Sequence, residues 1–400
     1  MGAAASTNKQ LSPPANENME EEAEADVVAG GDRCWSGLPE DVMLTVMGFM
    51  EVPDVVRSGA ACSAWRAAAP PCLLYACDAY GPVAAALYSP STATTFRVPF
   101  RGLGAVAGAA HGWLFATDDD ANPYLFNPIT GARATLPPIT TLDRVRSHET
   151  SSGDGDGDGG GDVVYGVDDS PSVREHIQHI TAKRARDWMF RRVAISGSPS
   201  ASAECVVLLV HMPFSELSFA RPGDARWTSL SGLAELSFAR PPDMGWGSIF
   251  AIGELESRQY WLSIVHNHKN GLFYLLRYCG SIFSLDLTGG GGASSSSSRS
   301  PIARTILRSP QQPHQYSSEP KPTKYLAVTP RGELLRVTRR WHKTMIIAPA
   351  DASNNRAHLE HVVVTTGFEL EEICIDTAAA VSVSMAGLGG GDHALFLGKS

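Results

Sequence analysis

No apolar run in the 400 residues approaches the roughly 18 needed to cross a bilayer as a helix. Nothing here therefore reads as a membrane span. Cysteine is sparse and odd in number: Cys34, Cys62, Cys72, Cys77, Cys205, Cys279 and Cys374 are scattered, mostly in apolar contexts such as Ala61-Cys62 and Cys205-Val206-Val207. That spacing excludes a disulfide scaffold and fits reduced core thiols. No secretory leader precedes the first periodic segment, so the expected location is the nucleus or cytoplasm. No Lys/Arg stripe is present, which argues against a nucleic-acid partner. The net charge of −9 is local: residues 1–34 hold seven acidic and two basic residues, residues 149–169 hold seven acidic and none basic, and the remainder is slightly positive.

Catalytic signatures are missing too. There is no G-x-S-x-G elbow, Walker loop or H-E-x-x-H helix, so no enzyme is expected. Asp154, Asp156 and Asp158 before Gly159 imitate the start of a calcium loop, but its twelfth position is Tyr165 where a bidentate Glu is needed. Gly102-x-Gly104-x-x-Ala107 meets a relaxed dinucleotide pattern but leads into His111-Gly112-Trp113 and a strand, where the fingerprint needs a helix. His176 with His179, and His266 with His268, lack the Cys or second His pair of a zinc site and read as surface or turn residues. No cofactor or metal is expected. Lys183-Arg184-Ala185-Arg186, with Arg191-Arg192, reads as a charged loop in preference to an import signal. Met1-Gly2-Ala3-Ala4-Ala5-Ser6 fits the N-myristoylation pattern at Gly2, but only Lys9 lies nearby and Glu20 to Glu24 would be repelled by an anionic surface. Stable membrane association is not expected.

What is present begins at Leu38. Leu38-Pro39 is followed by Val42, Met43, Val46, Met47 and Met50 at the spacing of an amphipathic helix, predicted over Glu40 to Phe49 with Pro39 in its first turn. Pro53 blocks continuation. Asp54 can cap a second short helix carrying Val55 and Val56, and Ser63 a third carrying Trp65 and Arg66 before Pro70-Pro71. About 35 residues in three short helices cannot bury enough apolar surface to stand alone. Apolar side chains on more than one face then imply that one face is the unit's own core and another belongs to a partner.

These residues resemble an F-box, the adaptor-binding module of Skp-cullin-F-box ubiquitin ligases. The resemblance is carried by Leu38-Pro39, Glu40-Asp41, the Val42/Met43/Val46/Met47/Met50 face, Asp54-Val55-Val56-Arg57, Cys62 and Trp65-Arg66. It implies that Leu38, Pro39, Val42, Met43, Val46, Met47, Met50, Val55, Val56, Cys62, Trp65 and Arg66 contact a Skp-type adaptor and through it a cullin.

From about Leu73 the helical period gives way to runs of mostly four to seven residues between turn residues. They are Val83–Tyr88, Thr94–Val98, Trp113–Ala116, Tyr124–Phe126, Arg191–Ile195, Cys205–Val210, Glu216–Ala220, Tyr260–Val265, Leu272–Leu276, Ser281–Leu287, Tyr325–Val328, Leu334–Thr338, Val362–Thr366 and Ala394–Leu397. Several pair as hairpins, and a long all-β chain of hairpins without alternating helices fits a β-propeller of six or seven blades. The predicted fold is mainly β with a small α module: residues 1–34 unstructured, 35–72 the helical module, 73–400 the propeller, with flexible insertions at 149–169 and 289–300.

The strings His111-Gly112-Trp113-Leu114, Leu125 to Arg133 (LFNPITGAR), Leu136-Pro137-Pro138, Phe219 to Asp224 with Trp227, and His393 to Gly398 resemble the kelch-like domain of plant F-box proteins. Together the two resemblances imply the substrate-recognition subunit of a ubiquitin ligase, the helical module holding the adaptor and the propeller an unidentified protein substrate. The alternative is a propeller interaction protein acting outside a ligase. The heptapeptide ELSFARP at Glu216 to Pro222 recurs at Glu235 to Pro241, too close for a blade repeat, and reads as a local duplication. The chain stops at Ser400 just after its last expected strand, so an unclosed ring with exposed strand edges is also an expectation.

Residues 73–400 are expected to fold alone, with a β-type circular dichroism spectrum and cooperative melting. Residues 32–71 alone should be largely unfolded and gain helix when a Skp-type adaptor is added. Cooperative melting of the short fragment by itself would contradict this division.

Overall fold

The computed structural model describes residues 37–50, 54–55, 58–59, 62, 65, 72–81, 84–89, 93–99, 106–128, 130–148, 163–168, 177–199, 205–236, 261–287, 300–309, 322–348 and 358–384. The chain divides into two compact units, Met1–Pro70 and Pro71–Ser400. The expectations for residues 1–34 (including Gly2), for Asp154 to Asp158, for 289–299 and for Ala394–Leu397 lie outside the described residues.

The first unit contains helix α1, Glu40–Gly48. Pro39 sits one position earlier than expected, at the N-cap, where its extended backbone lets its carbonyl accept from the Met43 amide (3.0 Å). Proline has no side-chain acceptor to cap with, so the helix start depends on that backbone bond. At the other end the Phe49 and Met50 amides close onto Val46 and Met47. Beyond α1, Asp54–Val55, Ser58–Gly59 and Trp65 have helical backbone, and the Cys62 amide donates to Ser58 O (3.1 Å). The rest of the expected second and third helices, with Val56 and Arg66, lies outside the described residues.

The described residues of the second unit form a succession of six antiparallel sheets, the architecture of a propeller. The first is β1 (Leu73–Ala76), β2 (Ala84–Ser89) and β3 (Thr94–Pro99), and the second is β4 (Gly108–Ala110), β5 (Trp113–Thr117), β6 (Pro123–Phe126) and β7 (Arg133–Thr135). The third is β8 (Val145–His148), β9 (Val164–Asp168) and β10 (Ile177–Thr181), followed by helix α2 (Ala182–Trp188). The fourth is β11 (Phe190–Ile195), β12 (Val207–His211), β13 (Glu216–Ala220) and β14 (Thr228–Ser229), and the fifth is β15 (Trp261–Asn267), β16 (Leu272–Arg277), β17 (Ile282–Asp286) and β18 (Ile302–Leu307). The sixth is β19 (Thr323–Val328), β20 (Leu334–Ala348), β21 (His358–Cys374) and β22 (Ala379–Val383).

The first strands of the second, fourth, fifth and sixth sheets meet in turn: β4 lies on β11, β11 on β15 and β15 on β19. Apolar clusters fill the spaces between sheets, one joining Phe115, Ile139, Val167, Met189, Val193 and Leu209, another Leu208, Phe219, Phe273 and Leu285, and a third Tyr274, Ile282 and Leu334. Strands β5 and β12 are buried along their whole length, which is why they read as unbroken apolar runs.

The structure corrects three expectations. Residues 149–169 are not all insertion: β9 occupies Val164–Asp168, pairing with both β8 and β10, and its acidic flanks hid the Val164-Tyr165-Gly166-Val167 core of the strand. Lys183 to Arg186 lie in α2, whose N-cap Thr181 Oγ1 accepts from the Arg184 amide (3.3 Å), so they are not a loop. The expected Leu334–Thr338 and Val362–Thr366 are parts of a far longer hairpin, because polar and charged residues from Arg339 to Lys343 broke the apolar pattern without ending the strand. Arg340 pairs with Glu369 (2.7 Å) and Arg339 donates to Thr365 Oγ1 (2.8 Å), so polar side chains face each other across the two strands where the apolar pattern stops.

Gly108 permits the contact between β4 and β11, since a Cβ there would stand 2.9 Å from both the Val193 Cβ and the Val193 carbonyl oxygen. Gly108→Ala is expected to lower the urea midpoint, at a cost of about 1–3 kcal/mol from overpacking. Gly232→Ala, with no atom within 4 Å of the added Cβ, should leave it in place. Equal midpoints for the two variants would mean that β4 does not need this close approach.

Candidate docking surfaces

Helix α1 separates the predicted adaptor-contacting residues into two sets. Met43, Met47, Val55 and Trp65 are buried together, with Leu38, Val46, Met50 and Cys62 half-buried around them. Those first four form the unit's core and are not surface. Val42 stays 40% exposed and Phe49 89% exposed. At 100° per residue, Val42, Val46 and Phe49 share one side of α1, and Met43, Met47 and Met50 another. Phe49 was missed as a contact because it stands at the helix end, although its i+7 spacing from Val42 was the available signal.

On the propeller unit, the turns after β4, β11, β15 and β19 come together. His111 and Gly112, at φ 54° and 78°, make a two-residue turn between the paired Ala110 and Trp113. The value of Gly112 therefore lies in its left-handed backbone, which such a turn needs. The Trp113 indole donates to Ser198 Oγ (3.0 Å) just past β11, and Asn267 Nδ2 donates to Gly332 O (2.7 Å), tying β15 to the turn after β19.

Three imidazoles interact here. Burial and then the nearby His111 hold His266 down to about 4, with His268 adding to the effect, and the His266 ring packs on Phe273 with centroids 4.8 Å apart. Burial, with His268, also lowers His111. Expected as a surface or turn residue, His266 is thus a half-buried strand residue, while His268 is exposed. His179 lies exposed in β10, and His176 falls outside the described residues. Among the described residues no cluster of three or more His, Cys, Asp or Glu could hold a metal ion.

Other resemblance-bearing strings prove to be joints. The Trp227 indole donates to Pro137 O (2.9 Å), and the Arg221 amide donates to Asp224 Oδ2 (2.7 Å) in the turn that brings Gly223 onto Thr135 O. Glu216 of the first ELSFARP copy pairs with Arg144 (2.7 Å) within β13, whereas Glu235 and Leu236 of the second lie in a turn and its remaining residues are outside those described. A shallow groove of about 390 Å³ runs along α2, lined by Thr181, Lys183, Arg184, Asp187 and Trp188.

A family described as KIB1-4 beta-propeller matches residues 87–400. No curated protein matches the chain. Among solved structures it is similar to Kluyveromyces lactis Hsv2 at 8% identity, covering 72% of this chain and 79% of that one with a TM-score of 0.28. It is also similar to the Malassezia sympodialis allergen Mala s 1 at 10% identity, covering 75% and 84% with a TM-score of 0.23.

His266 gives a pH test. Between about 6.5 and about 4 the unfolded imidazole binds a proton that the folded one refuses, so stability is lost as pH falls through that window and is fully present above it. His266→Phe should melt with a shallower decline from pH ~7 to pH ~4.5 than the wild type. His111 and the fully buried His211, also lowered by burial, keep part of the slope. Identical declines would show that His266 titrates normally.

Proposed function

The chain belongs to the KIB1-4 beta-propeller family, and from that premise we propose that it is a non-catalytic adaptor, its helical unit docking a Skp-type adaptor of a cullin ubiquitin ligase and its propeller holding the protein to be modified. The observation that carries this reading is the two-sided apolarity of α1. Met43 and Met47 turn into the unit's core while Val42 and Phe49 remain in solvent. A protein that leaves a phenylalanine 89% exposed beside another apolar residue on one helix face presents an anchor for a partner. In this reading Leu38, Pro39, Val42, Val46 and Phe49 make the contact, Met43, Met47, Val55 and Trp65 shape it from behind, and the ligation chemistry belongs to the recruited enzymes. The propeller contributes proximity, raising the effective concentration of substrate lysines near them. The protein works in the nucleus or cytoplasm.

The test separates face from core. The double variant Val42→Asp/Phe49→Ala is expected to weaken co-precipitation of a purified Skp-type adaptor about tenfold or more, equivalent to about 1.4 kcal/mol, without lowering the melting temperature of the chain. Met47→Ala should instead destabilise the helical unit by about 2–5 kcal/mol, as a buried methionine truncation does. Undiminished capture by the double variant would remove the basis for docking through α1.

A further inference from the structure

The turn between β16 and β17, Tyr278 to Ser281, faces a group of charges from the sixth sheet that neither docking surface uses. Gly280 (φ 95°) brings its backbone so close to Lys324 of β19 that a Cβ there would lie 3.2 Å from the ammonium and 3.4 Å from Ser309 Oγ. The Ser309 amide donates to Ser281 Oγ (3.1 Å), so two hydroxyl-bearing residues join the same notch. On its far side Arg336 grips Glu371 with two bonds (2.8 and 2.9 Å) and reaches Gly280 O only at 3.5 Å. Lys324 also interacts electrostatically with Cys279 of the turn.

The charges do not balance. Lys324 and Arg336 face a single carboxylate, Glu371, which Arg336 holds with two bonds, and the Lys324 ammonium has no hydrogen-bond acceptor or ion pair among the described residues. Lys324 is half-buried, and its pKa is lowered first by burial and then by Arg336, with Glu371 and Cys279 pulling the other way. Withdrawing an ammonium from water beside a second cation is unfavourable unless an anion arrives.

We propose that this notch between the fifth and sixth sheets binds a phosphoryl group carried on a side chain of the partner protein, Lys324 supplying the main contact and Ser309 and Arg336 further donors. The uncompensated Lys324 ammonium attracts an anion, and a phosphate monoester brings roughly −1.5 to −2 where a carboxylate brings one charge. Donors spread around the notch suit a group with three acceptor oxygens. A polyanion such as nucleic acid is disfavoured because the sequence carries no Lys/Arg stripe that would follow a phosphate backbone. The proposal rests on reading the propeller as the partner-holding part and adds the chemistry by which it selects.

Fluorescence anisotropy of the full chain with a short fluorescein-labelled peptide bearing one phosphoserine tests this, beside the same peptide with serine and with glutamate. Saturable binding is expected for the phosphoserine peptide, weaker binding for glutamate and none for serine. Lys324→Met should weaken binding about tenfold or more, Lys324→Arg should largely keep it, and Lys183→Met on α2 should not change it. Lys324→Met should melt no lower than the wild type, since it removes an uncompensated cation. The proposal is overturned by no saturable phosphopeptide binding up to millimolar concentration, by equal binding of the serine peptide, or by an unaffected Lys324→Met. Competition by inorganic phosphate at the concentration at which the phosphopeptide itself binds would assign the notch to a free anion and overturn the partner-borne source. The Val42→Asp/Phe49→Ala variant should bind the phosphopeptide normally and Lys324→Met should co-precipitate the adaptor normally, so the two readings fail separately.

Discussion

Burial of both faces of each inner sheet is the constraint on which the propeller unit depends. A sheet with one wet face alternates apolar and polar residues, but one held between two neighbours must be apolar at every position of its central strands. Val207 to Val210 of β12 are fully buried, Leu209 facing one apolar cluster and Leu208 the other. The same requirement makes polar intruders pair up. His211, fully enclosed at the end of β12, packs its two ring nitrogens against Met212 O (3.0 Å) and Ser218 Oγ (2.9 Å), while burial lowers its pKa. Close approach of sheets also restricts the backbone, which is why a glycine stands where β4 meets β11.

Between the sheets, a few long side chains span what the strands cannot. Arg144 reaches Glu216 (2.7 Å) and Asp168 (3.5 Å) and lies over the Phe214 ring, joining the third and fourth sheets. The indoles of Trp113, Trp227 and Trp341 each donate to a residue distant in sequence, so each large ring fills space and fixes a strand end at once. Arg277 follows another logic, its guanidinium held 4.6 Å from the Trp261 ring centre and 4.9 Å from that of Phe283 without a carboxylate among the described residues. Ring faces offset part of the charge's lost hydration.

The helical unit works at the opposite extreme of size. Among the described residues its buried set is Met43, Met47, Val55 and Trp65, a small core beside which apolar side chains in solvent are not without consequence. Exposure of Val42 and Phe49 therefore says more here than the same exposure would on the larger unit, where Met345, Val363 and Phe368 of the long hairpin are also in solvent. A two-stranded ribbon beyond the edge of its sheet is marginal by itself, and the Arg340–Glu369 pair is surface-exposed and adds little.

Local chemistry was enough to locate most elements from the sequence. The spacing of Val42, Met43, Val46 and Met47 fixed α1, and apolar runs bounded by Gly, Asn and Pro located β5, β6, β12, β13, β16 and β17 to within a residue or two. Each such signal lies within one turn of helix or one hairpin. Strands whose burial comes only from neighbours stayed hidden: β8 and β10 read as polar, β9 as acid-rich loop, and the extension of β20 and β21 as the end of a strand. The sequence marked the α1 residues as apolar without saying that Met43 and Met47 turn inward while Val42 and Phe49 stay out, because that depends on where Val55 and Trp65 pack. The convergence of His111, His266 and His268, and of Lys324 with Arg336 about Gly280, joins residues tens to more than a hundred positions apart. Electrostatic coupling acts through space and leaves no local pattern in the chain, so only the tertiary fold could assemble those groups.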